Sequence, residues 1–363
     1  MRSLDLTYAL QDAAAEANVQ KAVFAPDAAT LATVGATDSD TTDRFRLWTT
    51  AGGQVRDLPH HPVMAAVPEA YDEDDDGTSA YSRDGRLLAT DSWHEDRKPR
   101  VTVWDVHENR LRAELTLPDP VLGVSGFTFT PDGTRLAVAV TKSSGPGRPV
   151  ARAVQLWNLG SGRQEYEIAD TGAANLEISP DGSHLFTSAG ERVDLAARTV
   201  ERGVLGPGVI QDLEFSDDGS VLAVSLLQGT VTLWDGAGRR RLGGLSSTAA
   251  TRGDDFGGRV AALRFSRDGR TLAAIVGDSK VQLWDVPARR RLGDPLRGSA
   301  GLLRALAFDA RGRLHVSSSY RPHRVFDLAP EAVARALCER VGRDLTRAQW
   351  QQNVPDLPYR SVC

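Results

Sequence analysis

Two stretches, FSDDGSVLAVSLLQGTVTLWD (residues 215–235) and FSRDGRTLAAIVGDSKVQLWD (residues 265–285), match almost position for position. Each contains the end of an apolar strand, an Asp-Gly turn, a second strand, a polar turn and a third strand that ends in Trp-Asp. The Asp-Gly pair suits a hairpin because glycine tolerates positive φ. The chain therefore contains a repeated antiparallel unit of three strands or more.

The residue that opens this unit recurs along the chain, with a mean spacing of about 47 residues, which is near the period of a four-stranded propeller blade. The seven copies begin at Phe24, Tyr81, Phe129, Ile178, Phe215, Phe265 and Phe308. The third strands end at Trp48, Trp104-Asp105, Trp157-Asn158, Trp234-Asp235, Trp284-Asp285 and Phe326-Asp327, and the fourth unit has Val193-Asp194 instead. We expect the tryptophans and aspartates to be structural. The pattern predicts an all-β, seven-bladed β-propeller of four-stranded antiparallel blades over residues 1–329.

This pattern resembles the WD-repeat β-propeller family, and the resemblance covers most of the chain. Repeats of that family often carry Gly-His before the first strand, with the histidine bonded to Ser, Asp and Trp. No unit of this chain has that histidine. The hydrogen-bond network inside each blade must therefore be thinner or differently built.

A propeller must close, and the last unit stops after its third strand, Arg324-Val325-Phe326. Its fourth strand has to come from elsewhere in the chain. The N-terminal segment Ser3-Leu4-Asp5-Leu6-Thr7 is available and would remove an open sheet edge. We therefore predict that the N-terminal strand closes the ring.

The residues from 330 to 363 are predicted to form a short helical tail packed on the propeller. Apolar residues at helical spacing begin after Pro330, and Thr346 and Gln349 form a capping box for a second helix. The tail resembles that of actinobacterial WD-repeat proteins, some of which are signal-transduction ATPases with the propeller as the sensor half. Cys338 and Cys363 are either a disulfide that clamps the tail or two thiols in a reducing cytoplasm.

Composition narrows the class of protein. The net charge of −5 and the pI near 5.9 argue against general nucleic-acid binding. The chain has no apolar stretch long enough to cross a membrane, and its start lacks the apolar run of a signal peptide. We expect a cytoplasmic, bacterial monomer without a cofactor, whose partner is another protein or a fused or associated effector module.

The order of strands defines two faces of the ring. The Asp-Gly turns and the turns after Trp-Asp lie on one face, here called the turn face. The connections between the second and third strands and between blades lie on the other, the loop face. The long connections expected there are 38–43, 58–77, 92–99, 142–149 and 244–258. Long loops on a rigid scaffold are where binding usually resides.

The candidate partner-binding residues lie in two of these connections: Asp72, Asp74, Asp76, Trp93 and His94. The spacing D-x-D-x-D-G is typical of calcium loops, but position twelve is Arg83 and the alternative closing position is Ala80. Because the closing carboxylate is missing, we predict no metal site. The acidic segment is interpreted as solvated or facing a basic partner, and a loop tryptophan could anchor that partner.

The predicted function is a non-catalytic interaction platform or sensor module. The alternative is a small-molecule-binding or enzymatic propeller that uses the central channel. We expect that channel to be lined by apolar or small first-strand residues, Ala22, Gly126, Leu213, Leu263 and Leu306, which argues against an enzyme. A third role is architectural, with the propeller restraining an effector.

Two triplets, Arg239-Arg240-Arg241 and Arg289-Arg290-Arg291, predict a basic ridge on the outer rim, which either protects a sheet edge or contacts phosphates.

Overall fold

The structure is a computed structural model, and its described residues form seven antiparallel sheets. They are residues 18–37, 40–53, 55–58, 79–93, 98–118, 120–145, 150–172, 175–246, 260–277, 279–297, 301–320, 323–341, 346–348 and 351. Each sheet is one blade. Among these residues, no helix is both long enough and apolar enough to cross a membrane.

The strands follow one another in space as they do in the chain, so every blade is an up-and-down meander. Blade 1 contains β1 (Asn18–Phe24), β2 (Thr30–Thr37), β3 (Asp40–Thr49) and β4 (Val55–Asp57). Blade 2 contains β5 (Ser79–Tyr81), β6 (Leu87–Trp93), β7 (Pro99–Asp105) and β8 (Arg110–Thr116). Blade 3 contains β9 (Val121–Phe129), β10 (Arg135–Lys142), β11 (Ala151–Asn158) and β12 (Arg163–Ala169).

Blades 4 and 5 contain β13 (Leu176–Ile178), β14 (His184–Thr187), β15 (Arg192–Asp194), β16 (Thr199–Glu201); and β17 (Ile210–Phe215), β18 (Val221–Leu226), β19 (Thr230–Asp235), β20 (Arg241–Ser246). Blade 6 contains β21 (Val260–Phe265), β22 (Thr271–Val276), β23 (Lys280–Asp285), and an outer position split between β24 (Arg290–Arg291) and β25 (Leu296–Arg297). Blade 7 has three strands among the described residues: β26 (Leu303–Phe308), β27 (Leu314–Ser318) and β28 (Arg324–Phe326).

Seven apolar cores hold the sheets together, one between each pair of neighbouring blades. One of them joins the last blade to the first, because Phe24 and Trp48 pack with Ala305 and Ala307. The ring is therefore closed by side-chain packing, and the prediction of seven blades is confirmed. Pairing of Ser3–Thr7 with β28 lies outside the described residues and stays a prediction.

Burial of the strands follows from this stacking. The second strands are covered on both faces, so β10, β18 and β22 are apolar almost without interruption and are buried along their centres. The outer strands β8 and β12 combine exposed with partly buried positions and carry charged residues. The first strands of neighbouring blades contact one another around the whole ring. They therefore surround the central channel.

The Asp-Gly turns supply hydrogen bonds that the missing histidine would otherwise share. In blades 2 to 6 a Ser or Thr hydroxyl donates to the Asp two residues later, at 2.5–2.7 Å. The same hydroxyl oxygen accepts the backbone N–H that starts the second strand, as Ser179 does from His184 at 3.0 Å. The hydroxyl of Ser179, followed by the backbone amide of Ser183, lowers the pKa of Asp181 to about 2. The network is thus local to each turn.

Three of the buried tryptophans form hydrogen bonds within their own sheets. The indole N–H of Trp48 donates to Thr33 Oγ1 at 2.7 Å, and that of Trp234 donates to Thr232 Oγ1 at 3.0 Å. Trp157 donates to Gln155 Oε1 at 3.1 Å. A polar side chain on the second or third strand therefore accepts the bond that a histidine would accept in the family pattern.

The aspartate that follows the third-strand tryptophan in blades 2, 5 and 6 caps the next turn. Asp235 Oδ1 accepts the backbone N–H groups of Arg239 and Arg240 at 2.8 and 3.1 Å. Blade 4 lacks the tryptophan, yet Asp194 Oδ1 accepts from Ala196 and Ala197 at 3.0 and 2.7 Å. A side-chain oxygen therefore caps this turn even where the tryptophan is absent, and in blade 3 the amide oxygen of Asn158 has the same role.

Replacing Gly238 by alanine is expected to lower the free energy of unfolding by about 2–4 kcal/mol. Gly238 has a φ of +64°, and an added Cβ would lie 2.4 Å from Cε1 of the fully buried Phe186 in blade 4. The matched control is Gly162→Ala in the equivalent turn of blade 3, where φ is +65° and nothing lies within 4 Å. That change should cost only about 1 kcal/mol, from backbone strain. Urea unfolding measures both, and equal losses would show that the contact with Phe186 is unimportant.

The chain after blade 7 forms helix α1 (Pro330–Val341). Residues 347, 348 and 351 are also helical. Cys338 lies on α1 and is disulfide-bonded, while Cys363 lies outside the described residues. Packing of the tail on the propeller stays a prediction.

Two of the expected long connections are shorter than predicted. The strand β3 begins at Asp40, so most of 38–43 is strand, and β6 continues to Trp93, which pairs with Pro99. The ladders extend beyond the buried part of each sheet because backbone hydrogen bonds continue a hairpin even where side chains are polar.

Candidate functional site

Exposed apolar side chains are concentrated at the loop face. Eight large apolar residues are exposed among the described residues, and six of them lie where a first strand begins or at the connection from a second to a third strand. These six are Leu122, Val150, Val209, Leu227, Leu302 and Tyr320. The other two, Leu111 and Leu292, lie on or beside outer strands.

The six residues form pairs on alternate blades. Leu122 and Val150 belong to blade 3, Val209 and Leu227 to blade 5, and Leu302 and Tyr320 to blade 7. In blade 5 the Leu227 N–H donates to the Val209 carbonyl at 2.9 Å, which holds the two residues side by side. Exposed apolar groups at one face of a rigid ring are typical of a protein-docking surface.

The candidate residues from the sequence are only partly placed. Asp72, Asp74, Asp76 and His94 lie outside the described residues. The acidic segment connects β4 to β5, both of which meet the loop face at those ends. Trp93 is the last residue of β6 and belongs to a strand, whereas the sequence predicted a loop.

The expected lining of the channel is wrong. Leu213, Leu263 and Leu306 are buried in the cores between blades. Ala22 packs against the core between blades 7 and 1, and Gly126 is buried. Side chains alternate along a strand, so the residues that neighbour these core positions on the first strands reach the channel. In blades 4 to 6 the first-strand residues that face the channel include charged ones.

The charged residues of the channel bond from blade to blade. Arg264 of β21 forms an ion pair with Glu214 of β17, with Nη1 and Oε2 at 3.1 Å. Asp212 Oδ2 of β17 accepts the backbone N–H of Leu263 in β21 at 2.7 Å. Glu177 of β13 completes the group from blade 4. These contacts connect the innermost strands of neighbouring sheets.

Burial in the channel raises the pKa values of the carboxyl groups of Glu177, Asp212 and Glu214. Burial is the main cause for Glu214, whose pKa is raised to about 7 although Arg264 acts in the opposite direction. Burial, followed by the charge of Glu214, raises the pKa of Glu177 well above its usual value. Burial also raises the pKa of Asp212. At neutral pH the group therefore holds less negative charge than three free carboxylates.

An arginine crosses the turn-face end of the channel. The guanidinium of Arg83, on the Asp-Gly turn of blade 2, donates to the carbonyl oxygen of Asp217 on the corresponding turn of blade 5. In a ring of seven, these blades lie on opposite sides. The positive charge of Arg83 also acts on Glu177 and Glu214.

A histidine pair at the junction of blades 7 and 1 was not anticipated from the sequence. His315 Nδ1 and His323 Nε2 are 2.8 Å apart, and His315 Nε2 lies 3.3 Å from Asp309 Oδ2. Both rings are buried, and the edge of Phe24 from blade 1 packs against them. Burial lowers the pKa of both rings, that of His323 to about 4. The available signal was Asp309, which occupies the position that Ser or Thr has in the turns of blades 2 to 6.

Metal ligation finds no support in the part of the chain that the structure describes. No group of three or more His, Cys, Asp or Glu side chains is arranged there to hold an ion. The histidine pair with Asp309 is instead a hydrogen-bonded row of three groups.

Comparison with known proteins agrees with the architecture. The model of the WD domain, G-beta repeat (WD40), matches residues 250–285. No curated protein matches the chain. Among solved structures, the β-propeller domain of Myceliophteria thermophila Cps50 (Swd1) is similar, with a TM-score of 0.60 and 16% identity over 85% of this chain and 95% of that chain. At this identity the likeness shows the fold alone. The chain thus contains a segment that matches the WD40 repeat and has the fold of a seven-bladed β-propeller.

Proposed function

We propose that this protein is a non-catalytic protein-interaction module whose partner docks on the loop face. The observation that carries the proposal is the concentration of six exposed apolar residues on that face. Propellers with WD40 repeats typically mediate protein interactions, and the repeat at 250–285 supports the same role here. Because the ring holds the loop-face residues in place, little ordering entropy is lost on binding.

The proposed contact surface also includes Asp72, Asp74, Asp76, Trp93 and His94. The acidic segment belongs to a connection between blades, and Trp93 ends a strand at the same face. A contact surface that contains both carboxylates and apolar residues favours a partner with both basic and apolar side chains. The resemblance of the tail to signalling proteins supports a sensor role in which the bound partner is reported to an effector.

The test compares three proteins in affinity capture from lysate of the source organism, read by quantitative mass spectrometry. The loop-face variant carries Val209→Ser, Leu227→Ser, Leu302→Ser and Tyr320→Ser. Its matched control carries Leu111→Ser and Leu292→Ser, which remove the exposed apolar residues of the rim. We expect a partner that is retained by the native chain and the control but reduced at least about tenfold by the loop-face variant.

A captured protein is then purified and titrated against the same three chains, so that the loss is measured as a change in Kd. A further variant, Asp72→Ala, Asp74→Ala, Asp76→Ala and Trp93→Ala, tests the acidic segment separately. Equal binding to the native chain and the loop-face variant would refute docking on this face.

The channel is the rival location, because Glu177, Asp212, Glu214 and Arg264 line it. Asp212, Glu214 and Arg264 form contacts that connect one blade to the next. These contacts give the charged residues a structural role, which explains their presence in the channel without a ligand. The proposal therefore assigns neither substrate nor catalysis to the channel.

A further inference from the structure

A second surface, on the outer rim of blades 5 and 6, carries an unbalanced positive charge. We call it the arginine ridge, and it consists of Arg239, Arg240, Arg241, Arg289, Arg290 and Arg291. All six are exposed. The stretches 236–246 and 286–297 contain seven arginines and a single acidic residue, Asp294, although the whole chain has a net charge of −5.

The two triplets occupy equivalent positions in the two sheets. Arg241 lies opposite Trp234 in the ladder of blade 5, and Arg291 lies opposite Trp284 in blade 6. The outer strands β20 and β24 contact each other. The side chain of Arg289 lies against Gly243 of β20, with Cδ and Nη1 3.0 Å from the position that a Cβ would take. The ridge is therefore continuous from one blade to the next.

Other outer strands show what edge protection alone requires. On blades 2 to 4, Glu114 pairs with Arg100, Glu165 with Arg135, Glu167 with Lys142 and Glu201 with Arg192. Those edges carry both signs of charge in compensated pairs. Mixed charge is sufficient to keep a sheet edge from pairing with another chain.

Five of the six arginines of the ridge lack this compensation. Among the described residues, no ion pair involves Arg239, Arg240, Arg241, Arg289 or Arg290. Neighbouring like charges repel, and the repulsion is removed when an anion binds between them. Guanidinium groups are suited to this because their planar forks bind carboxylates in pairs of hydrogen bonds.

We propose that the arginine ridge binds an extended acidic segment of a partner protein. The ridge passes from the start of β20 to the start of β24 on the neighbouring blade, which favours an extended chain that lies across both blades. The net negative charge of the protein opposes adsorption to nucleic acid or anionic membranes, whose charge extends well beyond the ridge. A short acidic peptide interacts with the ridge alone. This surface is separate from the loop face, so either proposal can fail without the other.

The test uses a fluorescein-labelled polyglutamate peptide of about 12 residues, titrated by fluorescence polarisation at about 50 mM and about 300 mM salt. The ridge variant is Arg240→Glu with Arg290→Glu. The control, Arg112→Glu with Arg163→Glu, makes the same change of net charge on the exposed outer strands of blades 2 and 3. We expect the Kd to rise at least about tenfold in the ridge variant, less than about twofold in the control, and by an intermediate factor in each single variant.

Absence of binding to the native chain, or an equal loss in ridge and control variants, would overturn the proposal. Tighter binding of an oligothymidine of equal length, or of vesicles containing phosphatidylserine, would assign the ridge to a different class of partner and also overturn it. The milder pair Arg240→Gln with Arg290→Gln repeats the measurement without charge reversal, should the ridge variant fail to fold.

Discussion

Replacing Trp48 by alanine is expected to lower the free energy of unfolding by about 3–5 kcal/mol, the usual cost of removing a buried tryptophan. Trp48 is 2% exposed and belongs to the core that joins blade 7 to blade 1. The change leaves a cavity beside Ala305 and Ala307 and deprives Thr33 of its donor. Equilibrium urea unfolding measures the loss.

The matched control is Trp48→Phe, which keeps most of the apolar volume and removes the indole N–H. It should cost about 1–2 kcal/mol, mainly through the lost hydrogen bond. Hydrogen exchange should show that β1 and β26 lose protection first in the alanine variant, because they meet at this core. A loss below about 1 kcal/mol for Trp48→Ala would show that closure of the ring does not depend on this packing.

The histidine pair of blade 7 is expected to make the protein less stable as the pH falls from about 6.5 to about 4. Burial, the charge of His315 and Arg313 lower the pKa of His323 from 6.5 to about 4. In that window the unfolded chain binds a proton that the folded chain excludes, so falling pH favours unfolding. The full window corresponds to on the order of 3 kcal/mol. Above pH 6.5 the contribution is complete, because His323 is neutral in both states.

The measurement is the difference in unfolding free energy between the native chain and His323→Gln, followed from about pH 7.5 to about pH 4.5. A difference between the two proteins is needed because Glu177, Asp212 and Glu214 change the stability of both with pH, in the direction opposite to His323. Their raised pKa values favour the folded state as the pH falls. Between pH 7 and 4.5 the variant should gain about 2–3 kcal/mol relative to the native chain.

Asp309 and Arg313 are the charged groups that face the pair. Asp309 accepts from Arg313 Nε at 2.7 Å as well as from His315, so its charge is partly compensated. The control is His107→Gln, which removes an exposed histidine in a turn of blade 2. A difference for His323→Gln that does not change with pH would show that the folded state does not exclude the proton.

The sequence was sufficient for the architecture because the repeat marks the turns. Each Asp-Gly turn and each Trp-Asp ending needs a particular side chain for a particular backbone bond, as Asp218 and Asp235 show. Even blade 4 was placed correctly, since it keeps Asp194 although the tryptophan is absent. Local bonds of this kind are visible in one sequence.

The candidate sites were harder to predict from the sequence, because they depend on which face of a strand a residue occupies. The sequence predicted Leu213 and Leu263 in the channel, but both lie in the cores between blades. The residues one position later, Glu214 and Arg264, lie in the channel instead. The histidine pair depends on a contact with Phe24, which is distant in the chain. The pairs of exposed apolar residues carry no motif. They are recognised only after the strand ends have been placed.

The bond from Arg83 to Asp217 has a mechanical consequence for the ring. The apolar cores join each blade to its two neighbours, whereas this bond joins blade 2 to blade 5 across the channel and opposes their separation. A single hydrogen bond contributes only about 1 kcal/mol, so the cores still account for most of the ring's stiffness.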